Sequence, residues 1–563
     1  MSLLIAIALA ASVPPATENP RAAERGLVVC VEPRAARAGV EALRAGGNAI
    51  DAAVATALCL AVTHPEAGNL GGGGFIVARM AKTGECFTVD FRETAPKLAA
   101  PGMFLDASGN IDKEKAGHGW AVVGTPGSPM GLWTAHRRAG KLPWKDVVQP
   151  AVELAEKGFI VDAYLARGLA RMEKPFVRYG EPAKLFLKPE GKAPAAGETL
   201  RQPDLARTLT LLRDLGPDGF YRGEVAAKLE AAMKASGGLV RAEDLAAYKA
   251  ALRAPVRGTY RGCEVISMPP PSSGGVTMLL MLNILEGFDL KAAGPQTAAS
   301  THLLAEAMKR GFCERARHLG DPDFVSMPLD RLLSKDYAAK LRAGIRLDRA
   351  AKPEEIGPEL APPPEGANTT HLSAVDGEGN MVALTTTLED SYGARVAAPG
   401  TGFLLNNEMH DFNLRPGWTD RQGNVGTPAN QVAPGKRMLS SMTPTLVLKN
   451  GKPFLAIGSP GGRTIINTVL QTLVNVVDHG MTIQAAVDAG RIHQQWLPEA
   501  VRVEKRLPVS LDAELRKLGH VLPDRKSGGG ANQGDCHSIL IDPATGAFLP
   551  GVDRRLRGSA WGY

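Results

Sequence analysis

The segment RAAKPEEIGPELAPPPEGAN, residues 349–368, divides this chain more sharply than any other feature. Its prolines and glycines suit neither a helix interior nor a central strand, so the segment reads as an exposed linker. Strand patterns dominate the chain beyond it. THLSAVD and MVALTTTL flank the turn GEGN, and HSILID and AFLPG flank PATG. PTLVLK and KPFLAIGS flank Asn450-Gly451, a pair that suits a type I′ hairpin turn. SPGGRTIINTVLQTLVNVVDHG turns from strand to helix through Gly461-Gly462. Before the linker the pattern is mostly helical. Residues 34–64 read as two helices, the first ended by Gly46-Gly47 and the second capped by Asn48, with an Ala-rich surface that is apolar nearly all round and should be deeply buried. Residues 140–250 are also mainly helical, and VISMPPPSSGG is a rigid loop feeding an apolar helix. Stacked sheets covered by helices are the expected α/β architecture.

A length of 563 residues implies two or three domains or one large layered domain. A net charge of +7 without a long Lys/Arg run, and with 5% aromatics, argues against nucleic acid as a partner and leaves a mild field favourable to small anions. The six cysteines form no CxxC pair and no Cys/His cluster of zinc-ligand spacing, so neither a metal nor a disulfide framework is indicated. LLIAIALAA near the N-terminus is too short to span a bilayer. With the Ala8/Ala10 pair and the breaker SVPPATENP it resembles a signal peptide lacking a basic start, so residues 1–24 are expected to be a signal peptide and disordered N-terminus and the protein periplasmic or secreted.

Two stretches raise chemical questions. HPEAGNLGGGGF holds four consecutive glycines, neither GxGxxG nor followed by GK[ST]; they permit close approach of backbone to backbone or ligand. NTTH stands where the linker meets a strand. A threonine hydroxyl needs a base to become a nucleophile, and a threonine made N-terminal by chain cleavage carries its own α-amine for that purpose. The Asn368–Thr369 bond is therefore a candidate cleavage site.

NTTHLSAVD, HPEAGNLGGGGF, DFRETAP, GFLLNNEMHDF, PGKRMLSSMTPTLVL and GSPGGRTIINTVLQ resemble, in order, the signature blocks of the γ-glutamyltranspeptidase family. GGNAIDAAVA, VGTPGS, MPPPSSGG, RIHQQWLPE and the terminal AWGY agree, and the resemblance covers nearly the whole chain from about residue 25. It implies a four-layer αββα sandwich of the N-terminal-nucleophile hydrolase type. It also implies a precursor that cuts itself into a heavy piece, 25–368, and a light piece, 369–563, which stay associated. Thr369 would be the nucleophile and Thr387 the residue that orients it. Gly461 and Gly462 would supply oxyanion-hole N–H groups at a helix start. Arg92, at the end of the strand pattern GECFTVD, would hold a substrate α-carboxylate with Ser440 and Ser441; Glu408 and Asp411 would hold the α-ammonium. No cofactor or metal is implied. The partners would be a small γ-glutamyl donor such as glutathione and an amino acid, dipeptide or water as acceptor.

Two departures stand out. Where well-known members carry Asn two residues after the second threonine, this chain has Glu389. In the stretch that forms a lid in many relatives, length alignment puts Gln422 at an aromatic gate position, with Trp418 four residues earlier. Two other readings keep the sandwich: an acylase or poly-γ-glutamate-processing enzyme, and a non-catalytic binding protein. The intact Arg92 and Ser440-Ser441 favour a γ-glutamyl α-carboxylate over a plain glutaryl group but do not separate glutathione from a polyglutamate end, and the intact Thr369 and Gly461-Gly462 speak against the binding protein.

Overall fold

The computed structural model describes residues 16–357, 368–417, 427–526 and 530–563. The apolar leader run, half of the linker (358–367), and the lid positions Trp418 and Gln422 lie outside the described residues. The described half of the linker departs from the expected exposed, helix-free segment: Ala350 and Ala351 are buried against the body and Pro353–Ile356 forms a short helix, its proline at the helix start where no N–H is needed. Within 1–24, Thr17–Glu18 forms an edge strand rather than a disordered stretch.

Alternation along the central strands builds the layers. In Gly26–Cys30, Val28 and Cys30 join one apolar cluster while Leu27 and Val29 join another. Gly73–Arg79 divides likewise, Ile76 and Ala78 against Phe75 and Val77, and Met381–Glu389 sends Val382 and Leu384 one way and Met381 and Ala383 the other. A sheet apolar on both faces must be covered on both. The first sheet has eight strands in the order Thr17–Glu18, Ser559–Gly562, Gly26–Cys30, Asn368–Asp376, Met381–Glu389, Gly73–Arg79, Cys86–Asp90 and Ala251–Arg253. The second has six: Phe548–Val552, His537–Ile541, Lys452–Gly458, Thr445–Lys449, Cys263–Ser267 and Val256–Tyr260. The two strands that begin at and come after the NTTH block therefore sit at the centre of the first sheet, between strands from the N-terminal part of the chain.

Helices Pro33–Arg44 and Ala49–Thr63 cover the outer face of the first sheet; Gly274–Leu285 and Thr464–Val477 cover that of the second. The result is the αββα sandwich. Asn48 caps the second helix by accepting from the Ile50 and Asp51 N–H groups while the Asp51 carboxylate accepts from the Asn48 N–H. Every residue of Ala49–Thr63 is buried, as its all-round apolar pattern requires. The three expected hairpins form. Asn450 and Gly451 both have positive φ, 52° and 72°, as a type I′ turn demands. Arg92 lies two residues beyond the end of the strand Cys86–Asp90, where the Asp90 carboxylate takes the Arg92 N–H at 3.0 Å and turns the chain. Among the described residues no helix is long and apolar enough to cross a membrane.

Candidate active site

The strand Asn368–Asp376 meets Met381–Glu389 in register from Thr370↔Thr386 onward, but Asn368 pairs with Glu389. Thr369 thus faces two residues, Thr387 and Leu388, across a β-bulge, a device that re-aims side chains next to functional sites. Glu389 closes the bulge in the left-handed region, φ 83°, a conformation that costs a non-glycine residue about 1–3 kcal/mol. The bulge brings the Thr387 hydroxyl onto the Asn368 carbonyl, to which it donates at 2.9 Å, while it accepts the Glu389 N–H at 2.7 Å. The Thr387 hydroxyl is therefore oriented by one backbone group and polarises the carbonyl of the bond that precedes Thr369.

The glycine run explains how the bulge is held. A Cβ on Gly72 would stand 2.0 Å from the Thr387 carbonyl oxygen and one on Gly74 2.3 Å from that of Thr385, so only glycine lets this strand lie against Met381–Glu389. Asn69, in the same block, donates to the Thr387 carbonyl at 2.8 Å and to the Thr386 hydroxyl at 3.1 Å, and accepts from the Gly72 N–H and the Ser128 hydroxyl. Sequence reasoning passed over Asn69; the signal was its place in a block already singled out for its glycines.

Nine of the ten predicted site residues line one narrow cleft: Arg92, Thr369, Thr387, Glu389, Glu408, Asp411, Ser440, Ser441 and Gly462. Its free space is ≈ 20 Å³, about one water's worth. The tenth, Gly461, lines a neighbouring cavity of ≈ 510 Å³ together with Asn368. Arg92 is 1% exposed and its guanidinium is paired with both Glu408 and Asp411, while Nε and Nη2 also donate to the Met438 and Leu439 carbonyls. Burial opposes the Arg92 charge, but Glu408 and Asp411 more than offset it and hold the guanidinium firmly protonated.

One arginine faces a surplus of acid. Glu93 is fully buried 3.8 Å from Arg92, and burial lifts its carboxyl to about 7 despite that cation. Burial lifts Glu408 well above the usual carboxylate range against the pull of Arg92, with Glu93 and Asp411 adding to the rise. Glu389 is lifted in the same direction by burial and then by Asp390, Asp411 and Glu408. Among the described residues, Glu389 Oε1 and Glu408 Oε2 are buried without a hydrogen-bond donor; the nearest cation-capable group to Glu389 is His410, 3.5 Å away and held towards neutrality by burial. Two buried carboxylate oxygens without donors, beside Thr369, form a place built for a small cation.

The serine pair is held from the far side of the sequence. The Ser440 N–H donates to the Pro271 carbonyl at 3.0 Å, and the Ser273 N–H and hydroxyl donate to the Ser440 carbonyl at 2.7 and 2.6 Å. The MPPPSSGG block is thus the splint of the serine pair. Arg315, 1% exposed in the helix Ala298–His318, donates to the Ser273 hydroxyl at 2.7 Å and the Ser441 hydroxyl at 3.1 Å. Nothing in its helical stretch distinguishes it from a surface arginine before the fold is known.

Gly461 and Gly462 have φ of 124° and 54°, which side chains rarely adopt, and they precede the helix Thr464–Val477. Among the described residues neither glycine N–H finds a protein acceptor, so both remain available to an anion at this helix start. His371 plays no part in the cleft. It is wholly buried between the sheets, bonded to the Thr385 and Ser373 hydroxyls at 2.8 and 3.1 Å, and a Cβ on Gly458 would stand 2.2 Å from its ring. Burial keeps it neutral, so it is a packed strut rather than a base.

A threonine at the second position of a central strand of an αββα sandwich, opposite a bulge and beside a glycine turn, is the arrangement of an N-terminal-nucleophile hydrolase, and the comparisons with known proteins agree. The sequence model of the Gamma-glutamyltranspeptidase family matches residues 35–563, and the chain belongs to that family. A glutathione hydrolase proenzyme of Escherichia coli (strain K12) is 46% identical over 525 residues, which are 93% of this chain and 90% of the relative. Among solved structures, a cephalosporin acylase from Bacillus halodurans superimposes with a TM-score of 0.84 at 29% identity, covering 100% of this chain and 99% of its own. A chain of the Helicobacter pylori gamma-glutamyltranspeptidase is 41% identical with a TM-score of 0.57; 93% of it matches, yet it spans 58% of the present chain.

Proposed function

We propose that this protein is a self-cleaving γ-glutamyl hydrolase and transferase that acts on glutathione and related amides through Thr369. The observation that carries the reading is the pair of buried, donor-less carboxylate oxygens, Glu389 Oε1 and Glu408 Oε2, beside Thr369 and Arg92. A γ-glutamyl group presents an α-ammonium and an α-carboxylate. The ammonium fits Glu389, Glu408 and Asp411. The carboxylate fits Arg92 with the Ser440 and Ser441 hydroxyls, once the incoming ammonium draws the acids from the guanidinium. A glutaryl group lacks the ammonium and would leave this acidic surplus uncompensated, which favours a γ-glutamyl donor over the acylase reading.

Maturation comes first. The Thr369 hydroxyl attacks the Asn368 carbonyl carbon, and the developing oxyanion is met by the Thr387 hydroxyl. The acyl group passes from nitrogen to oxygen, and water then hydrolyses the ester, freeing the Asn368 carboxylate and the Thr369 α-amine. In the mature enzyme that amine takes the hydroxyl proton as Thr369 attacks the γ-carbonyl of the donor. The oxyanion lies towards the Gly461 and Gly462 N–H groups, the leaving amine departs with the proton, and water or an acceptor amine releases the γ-glutamyl group. The word proenzyme in the E. coli relative's name and the short H. pylori chain are in keeping with a precursor divided in two. The apolar run at the N-terminus is in keeping with export to the periplasm or medium.

The purified protein is expected to run as two pieces on a denaturing gel, the smaller with the N-terminal sequence TTHLSAVD; an uncut chain with full activity would defeat this reading. It should release the chromophore of a γ-glutamyl anilide, faster with an acceptor dipeptide, and leave a glutaryl anilide largely intact.

Arg92→Lys should lower kcat/KM for the anilide about 10-fold or more, because a single ammonium cannot give the two-pronged contact and a charge-assisted bond is worth about 1.5–3 kcal/mol. Unchanged kinetics would remove Arg92 from the substrate's contacts. Glu389→Gln should raise KM about 10-fold with a smaller effect on kcat, since an ammonium contact exists in ground and transition states alike. The sign with pH follows from the raised carboxyl. As pH falls through the elevated Glu389 value the wild type loses an anion and its KM climbs; the variant has no such charge to lose, so its acid limb is shallower, with Glu408 supplying what remains. Equal KM values and equal acid limbs would exclude the contact.

A further inference from the structure

Asn368 is held at two points. Its carbonyl accepts from the Thr387 hydroxyl, and its side chain enters a separate pocket. The Asn368 amide nitrogen donates to Glu66 Oε1 at 2.9 Å and to the Ser391 hydroxyl, which itself donates to the same Glu66 oxygen at 3.0 Å. The second oxygen, Glu66 Oε2, accepts from the Tyr164 hydroxyl at 2.7 Å. Glu66 is 5% exposed, and the Tyr392 N–H donates to its backbone carbonyl at 2.9 Å, so the backbone at Glu66 is anchored to the segment that leaves the strand Met381–Glu389. Two parts of the chain hold this amide, the loop after helix Ala49–Thr63 and the loop carrying Ser391, and the helix Ala163–Tyr179 supports Glu66 from behind through Tyr164.

We infer that Glu66, Ser391 and Tyr164 form a recognition pocket for the side chain of the residue before the cleaved bond, and that Glu66 is the positioning residue that sets the Asn368 carbonyl for self-cleavage. The inference rests on the self-cleavage reading above. Its chemistry is specific. Both groups that meet the Asn368 nitrogen accept, so the pocket suits a side chain with N–H donors and no negative charge. A carboxylate would face Glu66 directly, and an alkyl group would leave buried acceptors empty. With the side chain gripped on one side and the carbonyl on the other, the peptide plane cannot rotate away from Thr369, and attack on a carbonyl is sensitive to displacements of about 1 Å. Burial and the neighbouring Glu66 carboxylate hold the Tyr164 hydroxyl above its ordinary range, so it stays a donor to Glu66.

The test is a charge exchange followed by the fraction of full-length chain cut with time on denaturing gels. Asn368→Asp should slow cutting about 10-fold or more, because it sets two carboxylates against each other and loses a charge-assisted bond. Adding Glu66→Gln to that variant should restore cutting to within about 3-fold of wild type, since the amide so introduced donates to the new carboxylate. Adding Glu66→Gln to Asn368→Ala should restore nothing. Rescue confined to the Asn368→Asp background cannot come from a general effect on folding. Cutting of Asn368→Asp at the wild-type rate, or a double variant as slow as the single one, would overturn the pocket while leaving self-cleavage intact. A wild-type chain that never breaks between 368 and 369 would overturn both.

Discussion

Thr369→Ala is expected to persist as one uncut chain and to show no turnover of a γ-glutamyl anilide, a loss of at least about 10⁴-fold in kcat. The side chain lies in the cleft shared with Arg92, Glu389, Glu408 and Gly462, and the preceding carbonyl is already engaged by the Thr387 hydroxyl at 2.9 Å. Removing the hydroxyl deletes the attacking atom of both reactions and, by leaving the Asn368 bond intact, withholds the α-amine that serves as base. The effect is thus doubled in origin but read in one experiment. Thr369→Ser keeps an attacking oxygen and should be cut, more slowly, and retain part of its activity. Thr369 is 5% exposed but borders the cleft, so trimming it to Ala loses the packing of one methyl group, about 1 kcal/mol, and a folded, uncut Ala variant is the expected product. An Ala variant found cut between 368 and 369, or active, would mean that the nucleophile lies elsewhere.

Thr387→Val should slow self-cleavage about 100- to 1,000-fold, the usual effect of deleting one donor aimed at a developing oxyanion. Valine keeps the β-branched shape that suits this strand and removes only the hydroxyl. The Asn368 carbonyl then loses its donor and the Glu389 N–H loses its acceptor, so the bulge as well as the reaction is weakened. The readout is the rate at which full-length chain disappears. Thr387→Ser, which retains the hydroxyl, should recover most of that rate. A Val variant cut as fast as wild type would show that the contact with the scissile carbonyl has no bearing on the step.

The Asn48 cap, the Asn450-Gly451 hairpin and the wholly buried helix Ala49–Thr63 were legible in the sequence because each depends on neighbours a few residues apart. The same holds for the position of Thr369, where a run of breakers meets a strand. The layered fold follows from patterning, since strands apolar on both faces must be covered on both. What the charges do was not legible. Arg92 lies 316 residues from Glu408 and 319 from Asp411, and only the closed sandwich makes them partners and leaves acid in excess around a single cation. Simple alternation would put Glu389 on the same face as Thr387. Both do line the cleft, but through a bulge and a left-handed backbone that a period of two does not encode. Arg315 reached Ser441 and Glu66 reached Asn368 across 126 and 302 residues. Local sequence governs which backbone states are cheap over a few residues. The meaning of a charge or a hydroxyl is set by its burial and its partners, and those exist only once distant segments have packed.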